Sequence, residues 1–162
     1  MRIVVADTGP IHYPVLIGPS EVLPALFERV IVPAVVRDEL DRAQTPLAVR
    51  NWIQSPPAWL ELHPSLESPY DDALGSLDEG EKAALVLAGS LGAGLVLLDD
   101  RQGVRVARNK GFRVIGTLRV LQLAAQRGLR DLAGAFERIK GTNFRYRQSV
   151  MDELLNEQAQ NR

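Results

Sequence analysis

Short apolar runs alternate along the chain with longer segments in which apolar residues recur at helical spacing. The runs that predict β-strands are Ile3–Ala6, Val30–Val32, Trp59–His63, Leu95–Leu98 and Arg113–Ile115. Because strands that alternate with helices form parallel sheets covered on both faces, the pattern predicts an α/β fold. We expect three α/β/α layers with a mostly parallel central sheet.

Prolines and glycines set the expected limits of the helices. The predicted helical segments are a region from about Ile11 to Arg29 interrupted by Pro14, Pro19 and Pro24, a helix with Pro33 as its first residue that runs to about Arg42, a helix opened by Pro46, and then Glu79–Leu91, Gln102–Lys110, Leu118–Arg127, Leu132–Lys140 and Arg147–Ala159. Gly92 and Gly111 each follow a helix, where glycine is favoured. Residues 64–76, which include Tyr70, predict a surface loop.

The length of 162 residues suits one domain, which we expect to cover the whole chain with residues 131–162 as a helical C-terminal extension. The chain has no cysteine and only two histidines, so a thiolate or histidine-rich metal site is excluded. Any bound metal is then a hard cation held by oxygen, such as Mg²⁺ or Mn²⁺. No apolar run approaches the roughly 18 residues of a membrane span, so we expect a cytoplasmic protein.

Charge is distributed unevenly along the chain. Residues 1–100 contain 6 basic and 15 acidic residues, whereas residues 101–147 contain 12 basic and 2 acidic residues. An acidic half that could hold cations, followed by a basic stretch that could hold phosphates, suits a nucleic-acid enzyme. The alternative is that folding intermixes the two segments and neutralises their charges.

Several acidic residues stand where the fold would gather them. Asp7 and the Asp99-Asp100 pair follow predicted strands, and ligands of open α/β sheets bind beyond the carboxyl ends of strands. Glu39 shares a helix face with the apolar residues Val35, Val36 and Ala43. A charge on a buried face is costly unless something compensates it.

Glu81 repeats this arrangement in another helix, where it shares a face with Ala84, Leu85 and Ala88. Its simpler explanation is a capping box with Asp78 at the helix N-terminus. Asp7 could likewise cap the following segment, Glu39 could reach solvent from the edge of its face, and one acid of the Asp99-Asp100 pair could cap the next helix. A cap does not require two adjacent acids.

Carboxylates that converge repel one another, and a divalent cation relieves that repulsion. A cation held by oxygen ligands can also bind a phosphate and activate water. The acids together therefore predict a metal-dependent site that hydrolyses phosphodiesters.

Four stretches together resemble the PIN-domain family, and within it the branch of VapC-like toxin ribonucleases. They are VVADTGP, VPAVVRDEL, LDEGEKAALVLA and LVLLDDRQGVRVARNKGFRVIGTLRVLQLAAQRGL, in the order and spacing of that family over about residues 1–130. The sequence departs from the family at His12-Tyr13-Pro14, which replaces a more usual apolar helix.

The resemblance implies the role of each acidic residue. Asp7 is the central metal-binding and catalytic acid, Glu39 the second, Glu81 the third, and Asp99, Asp100 or both supply the last; Thr8 supports the site with its hydroxyl group. The implied activity is a Mg²⁺- or Mn²⁺-dependent endoribonuclease, the toxin of a toxin–antitoxin pair. Its expected partners are RNA and a small antitoxin protein, with no membrane, and the family permits a homodimer.

Basic residues after the last acids are candidate RNA ligands. Arg101, Arg105 and Arg108 share one helix face, and we expect Arg105 above all to hold RNA phosphates. The alternative is a solvated face, and the aromatic residues of the C-terminal helices favour core packing over base stacking.

Two other functions stay open. One is a non-catalytic module of the same fold that binds nucleic acid or protein, although the full set of acids argues against it. The other is a phosphatase- or receiver-type domain. However, Gly9 occupies the position where the phosphatase would need a second aspartate, and the receiver would need a lysine directly after a late strand, where Gly116 and Thr117 stand instead.

Overall fold

The computed structural model of the chain describes residues 3–67 and 71–161. Within them, five strands form one sheet: β1 (Ile3–Ala6), β2 (Arg29–Pro33), β3 (Leu60–His63), β4 (Leu95–Leu97) and β5 (Val114–Ile115). The strand order is β3-β2-β1-β4-β5 and every pairing is parallel. All five predicted strands are present, and the expected parallel sheet is confirmed.

Helices cover both faces of the sheet. Those of the described residues are α1 (Thr8–Ile17), α2 (Val22–Leu26), α3 (Ala34–Leu40), α4 (Leu47–Gln54), α5 (Glu79–Leu91), α6 (Arg101–Asn109), α7 (Thr117–Gln126), α8 (Leu132–Lys140) and α9 (Gln148–Gln160). Gly92, just after α5, has a positive φ of 61° that a residue with a side chain rarely adopts, and it ends the helix there as expected.

The alternation of side chains along the strands divides the core between the two faces. Val4 and Ala6 of β1 join the core cluster formed with α1, α2, α3, α4 and α7, whereas Val5 joins the cluster formed with α5 and α6. All three side chains are fully buried. The sheet is thus the middle layer of three, as predicted.

A third core cluster lies outside the sheet and joins the last helices to the rest. Phe136 and Ile139 of α8 and Met151 of α9 pack with Ile17 of α1 and Leu121 of α7. Gln122 of α7 is fully buried and donates hydrogen bonds to the Leu154 carbonyl at 3.1 Å and to Glu157 at 2.8 Å, both in α9. The C-terminal helices are therefore fixed against α1 and α7.

Several predicted helix limits are wrong. Pro33 precedes α3 instead of being its first residue, because it pairs with His63 in the sheet and stays extended with ψ of 155°. Helix α3 ends at Leu40, so Ala43 lies beyond it and is exposed instead of sharing the face of Glu39. Pro14 lies inside α1 and does not interrupt it.

The predicted loop at residues 64–76 is only partly described. Tyr70 lies outside the described residues, and Asp72–Leu74 form a short 3-10 helix that the sequence did not predict. Asp71 begins that turn by accepting a hydrogen bond from the Ala73 backbone N–H at 2.9 Å.

The strand order also locates a crevice. The chain leaves β1 towards β2 on one side, and later returns to place β4 on the other side of β1. Beyond the carboxyl ends of two such strands, the following segments diverge and leave space for a ligand. Asp7 follows β1 and Asp99 follows β4 at this point.

Candidate functional site

Asp7 stands at the crevice, immediately after β1. Its backbone N–H donates to the Leu97 carbonyl of β4 at 2.9 Å, which fixes it between the two strands. It precedes α1, but its side chain makes no capping hydrogen bond. The Oδ1 atom is buried and has no hydrogen-bond partner among the described residues. Capping therefore does not explain this aspartate.

Glu39 reaches the same crevice from α3. Its Oε2 accepts a hydrogen bond from the Thr8 hydroxyl group, in the residue next to Asp7. Its side chain is only 12% exposed, and the guanidinium group of Arg42 lies 4.0 Å from it. The structure thus brings Glu39, Thr8 and Asp7 together, and Glu39 does not extend into open solvent.

Glu81 lies in the first turn of α5 and is 6% exposed. Ala84, Leu85 and Ala88 on the same face are buried, as the spacing predicted. Asp78 does cap this helix, because its Oδ1 accepts from the Glu81 backbone N–H at 2.8 Å. The Glu81 side chain extends towards α6, where a Cβ atom on Gly103 would lie 3.2 Å from its Oε2.

The adjacent acids after β4 have different surroundings. Asp100 is exposed and caps α6 by accepting from the Gly103 backbone N–H at 3.0 Å. Asp99 points the other way and accepts from the Thr117 backbone N–H at 2.7 Å and from its hydroxyl group at 2.6 Å. Both acids line one cleft with Asp7 and Glu81.

Glycines provide the space that the carboxylates occupy. A Cβ atom on Gly80 would lie 2.7 Å and 2.8 Å from the Glu39 oxygens and 3.0 Å from Asp7 Oδ1. One on Gly9 would lie 2.5 Å from Asp99 Oδ2, and one on Gly116 would lie 2.7 Å from Asp99 Oδ1. Since such distances are too short for a carbon atom, these positions require glycine as the site stands.

Burial and mutual repulsion favour the neutral forms of these acids. Burial raises the pKa of Asp7 to about 7, with the charges of Asp78, Glu39 and Asp99 adding to the effect. Burial also raises the pKa of Glu81 to about 8, and the charges of Asp78, Asp100 and Asp7 add to it.

The same effect, led by burial, extends to the other two acids of the crevice. The pKa of Glu39 is raised despite the Thr8 hydrogen bond, and that of Asp99 is raised despite its two hydrogen bonds to Thr117. Burial and mutual repulsion thus disfavour the ionised forms of Asp7, Glu39, Glu81 and Asp99, which together we call the acidic crevice.

A divalent cation fits the donors of this crevice in one mode and not in another. In the ranges 3–67 and 71–161, no group of three or more His, Cys, Asp or Glu side chains is placed so that it could hold a metal ion. An all-protein cage is thus absent from those ranges. Mg²⁺ is commonly held by one or two carboxylates, with water and substrate phosphates as its other ligands. The buried, unpartnered Asp7 Oδ1 fits that second mode.

The predicted basic ligands are not all at the cleft, which has a volume of about 1000 Å³. Arg101 lines it, whereas Arg105 and Arg108 are exposed and are not among its lining residues. Helix α6 leads away from the cleft as it proceeds from its N-terminus, so the two later arginines lie outside the cleft.

Sequence reasoning missed other residues of the cleft. These are Asp78, Gly116, Arg119, Arg145 and Arg147, and the cleft also includes Tyr146, one of the aromatic residues assigned to core packing. It also missed Thr117, which holds Asp99. The only signals in the sequence were the Gly116-Thr117 step after β5 and the alternation of aromatic and basic residues at Phe144–Arg147.

No helix of the described residues has the length and apolarity needed to cross a membrane.

Comparisons with known proteins agree with the fold. No curated protein matches the chain. The structure is similar to that of a PilT N-terminus domain protein, SSO1118, from the hyperthermophilic archaeon Sulfolobus solfataricus P2. The TM-score is 0.53 at 14% identity, over 90% of this chain and 99% of that one. The family DUF3368, described as a PIN domain, matches residues 3–160. The chain therefore belongs to the PIN-domain family, whose members are generally nucleases and typically use divalent metals.

Proposed function

We propose that the protein is a metal-dependent endoribonuclease of the cytoplasm, with Asp7 as its central acid. The observation that carries this proposal is the buried Asp7 Oδ1, which lacks a hydrogen-bond partner among the described residues and is surrounded by other acids. Burying an unpartnered carboxylate is costly, and a bound cation offsets that cost while the group stays ionised. A divalent cation is the ligand that compensates several carboxylates at once.

In this proposal Asp7, Glu39, Glu81, Asp99 and Asp100 hold Mg²⁺ or Mn²⁺, directly or through water. When bound, the cation supplies positive charge to the phosphodiester and makes water a better nucleophile. Thr8 orients Glu39 through its hydroxyl group, and Thr117 orients Asp99. Arg101, at the start of α6 in the cleft, binds an RNA phosphate, and Arg105 and Arg108 extend the basic surface away from it.

Cleavage of RNA by the purified protein tests the proposal. We expect Mn²⁺ or Mg²⁺ to support cleavage, and EDTA to stop it. A circular RNA has no ends, so its conversion to linear fragments shows endonuclease activity. A panel of RNAs left uncut by the folded protein at saturating Mn²⁺ would overturn the assignment.

A non-catalytic module that binds nucleic acid or protein is the second candidate. One observation favours it, namely that the described residues contain no ready-made group of three metal ligands. That function requires RNA or protein binding that Mn²⁺ does not convert into cleavage. The same cleavage assay, together with a binding assay, separates the two candidates.

We also propose that the nuclease is the toxin of a toxin–antitoxin pair of the VapC-like kind. An antitoxin protein that places a basic side chain in the acidic crevice would relieve the repulsion that raises the pKa values of Asp7 and Glu81. A neighbouring gene for a short DNA-binding protein, and growth arrest that its coexpression relieves, are the expected results. Harmless expression of the active enzyme alone would contradict this part.

A further inference from the structure

Four residues line the cleft but do not belong to its acidic part, and we call them the basic-aromatic wall. Its members are Arg119, Arg145, Tyr146 and Arg147. They line the same cleft as Asp7, Glu81 and Asp99. One cleft is therefore lined both by carboxylates and by the three guanidinium groups and the phenol ring of the wall.

Contacts with α1 fix the residues that immediately precede three members of the wall. The Tyr13 hydroxyl group donates to Asn143 Oδ1 at 2.8 Å. The ring of Tyr13 also meets that of Phe144 edge-on, with centroids 4.8 Å apart. Since α1 begins immediately after Asp7, these contacts set the distance between the segment 143–147 and the central acid.

The remaining member, Arg119, is held by a separate network. Its guanidinium donates to Gln122 Oε1, and Gln122 is fully buried. Gln122 in turn bonds the Leu154 carbonyl and Glu157 of α9. The arginine is thus oriented by α9 while its side chain lines the cleft.

Three members of the wall, Arg145, Tyr146 and Arg147, are available to a ligand. Arg145 and Arg147 are exposed, and neither has an acidic partner at salt-bridge distance in the described part of the chain. Tyr146 is 42% exposed, which is high for an aromatic side chain. Lys140 Nζ lies 6.0 Å from the centroid of its ring and is paired with Glu137 at 3.1 Å.

We propose that the basic-aromatic wall holds a single strand of RNA across the acidic crevice, with Tyr146 stacked on an unpaired base and Arg119, Arg145 and Arg147 on neighbouring phosphates. Cations that follow a backbone together with an aromatic stacking surface are the combination by which proteins bind single strands. A duplex keeps its bases stacked and offers no free face to the ring. An acidic peptide would use the arginines but would not need the ring.

The identity of the ligand rests on the proposed function, but its binding can be measured without cleavage. We would titrate a fluorescein-labelled single-stranded RNA with protein in EDTA and follow fluorescence anisotropy. Thermal unfolding followed by circular dichroism would show that each variant is folded. A protein that binds RNA in EDTA but never cleaves it would refute the proposed nuclease activity and would still support RNA binding by the wall.

Variants of the ring test stacking. We expect Tyr146→Leu to weaken binding roughly 5- to 100-fold, as is usual when a stacked aromatic is lost. Tyr146→Phe retains the ring and should bind within about twofold of wild type. Equal binding by Tyr146→Leu and wild type would overturn the proposal.

Variants of the arginines test phosphate contact. Each phosphate contact to a single strand contributes about 0.7 to the slope of log affinity against log salt, so Arg145→Ala/Arg147→Ala should lower that slope by about 1.4. Arg113→Ala is the control. Arg113 is exposed just before β5, so it lies at the amino ends of the strands and not at the carboxyl ends, where the cleft is. An unchanged slope in the double variant, or an equal change in the control, would contradict the proposal.

A competitor separates RNA from an acidic protein ligand. Polyglutamate should displace the labelled RNA far less effectively than unlabelled RNA at equal charge. If polyglutamate competes equally and the ring proves unimportant, the wall is a surface for an acidic protein and the proposal is wrong.

Discussion

The two sides of the cleft are built in opposite ways. Apart from the exposed Asp100, the acids are closely confined: Asp99 has two hydrogen bonds to Thr117, Glu39 has one to Thr8, and a Cβ atom on Gly80 would have no room beside Glu39 and Asp7. In the basic-aromatic wall, Arg145, Tyr146 and Arg147 are exposed, and the two arginines have no acidic partner among the described residues.

The acids are therefore suited to chemistry at a fixed point, whereas the wall is suited to binding a flexible ligand. Groups that must act at one point are best held by surrounding contacts, at a cost in stability from repulsion and burial. Groups that bind a flexible strand can remain mobile, because phosphates tolerate a range of arginine positions. Substitutions among the acids should therefore change activity sharply and can increase stability. Substitutions at Arg145, Tyr146 and Arg147 of the wall should change affinity and leave stability nearly constant.

The largest expected effect is that of Asp7→Asn on cleavage. We expect a loss of at least about 10³-fold, which exceeds the 10- to 100-fold loss usual for a contact that only supports a metal ligand. Asp38→Asn is the matched control, since its side chain in α3 is 72% exposed and it removes the same charge. Similar cleavage rates for both variants would remove the distinction between the crevice and ordinary surface acids.

The next effect concerns the stability of the metal-free protein and its dependence on pH. The pKa of Asp7 is about 7 in the folded protein against an ordinary value of 3.8, so the unfolded chain loses this proton first. The free energy of unfolding therefore falls as pH rises from about 4 to about 7, and Glu81, with a pKa of about 8, extends the loss.

Urea denaturation of Asp7→Asn measures that loss. At pH 8 the metal-free variant should be more stable than wild type by roughly 2–4 kcal/mol, and the difference should nearly vanish at pH 4. Saturating Mn²⁺, at about 100 times its dissociation constant, should stabilise wild type by about 2.7 kcal/mol and the variant much less. A difference in the free energy of unfolding that stays constant from pH 4 to pH 8 would show that the pKa of Asp7 is not raised in the folded protein.

Two glycines of α5 provide the third test. Gly80→Ala should reduce cleavage and Mn²⁺ affinity roughly 10- to 100-fold, because its methyl group would displace Glu39 and Asp7. Gly89→Ala is the control, since its Cβ atom would lie at an ordinary 3.7 Å from Phe112. We expect Gly89→Ala to stabilise the helix by roughly 0.5–1 kcal/mol and to leave Mn²⁺ binding unchanged. Full Mn²⁺ affinity in Gly80→Ala would contradict the placement of the two acids.

The smallest effect is expected at Thr117. Thr117→Val removes the hydroxyl group that donates to Asp99 but retains the backbone donor, so Mn²⁺ affinity should fall roughly tenfold. Thr117→Ser retains the hydroxyl group and should stay near wild type. Isothermal titration of both variants distinguishes loss of the hydrogen bond from a change in packing, which would affect Ser as much as Val.

Periodicity made much of the acidic side predictable. Glu81 shares a helix face with alanine and leucine residues that are buried, so its burial followed from spacing, whereas its role was implied by the family resemblance. Spacing could not separate Asp99 from Asp100, because adjacent residues differ only through partners such as Thr117 that lie far along the chain. It also misplaced Ala43, since pairing of Pro33 in the sheet delays the start of α3, and the helix ends at Leu40.

The basic-aromatic wall could not be derived in this way. Its position depends on the contacts of Tyr13 with Asn143 and Phe144, and no local pattern specifies residues that are 130 positions apart. Arg105 and Arg108 were plausible from their nearness to the last acids, but the direction of α6 leaves them outside the cleft. The order of elements in a parallel sheet is readable from sequence, whereas the path of an irregular segment such as 143–147 depends on the completed fold.

Anomalous diffraction from crystals soaked in Mn²⁺ would locate the bound ion. We expect a manganese peak within coordinating distance of Asp7 Oδ1 in wild type, with Glu39, Glu81, Asp99 or Asp100 as further direct or water-mediated partners, and no such peak in Asp7→Asn. A peak elsewhere on the molecule, or none in the crevice at saturating Mn²⁺, would contradict it.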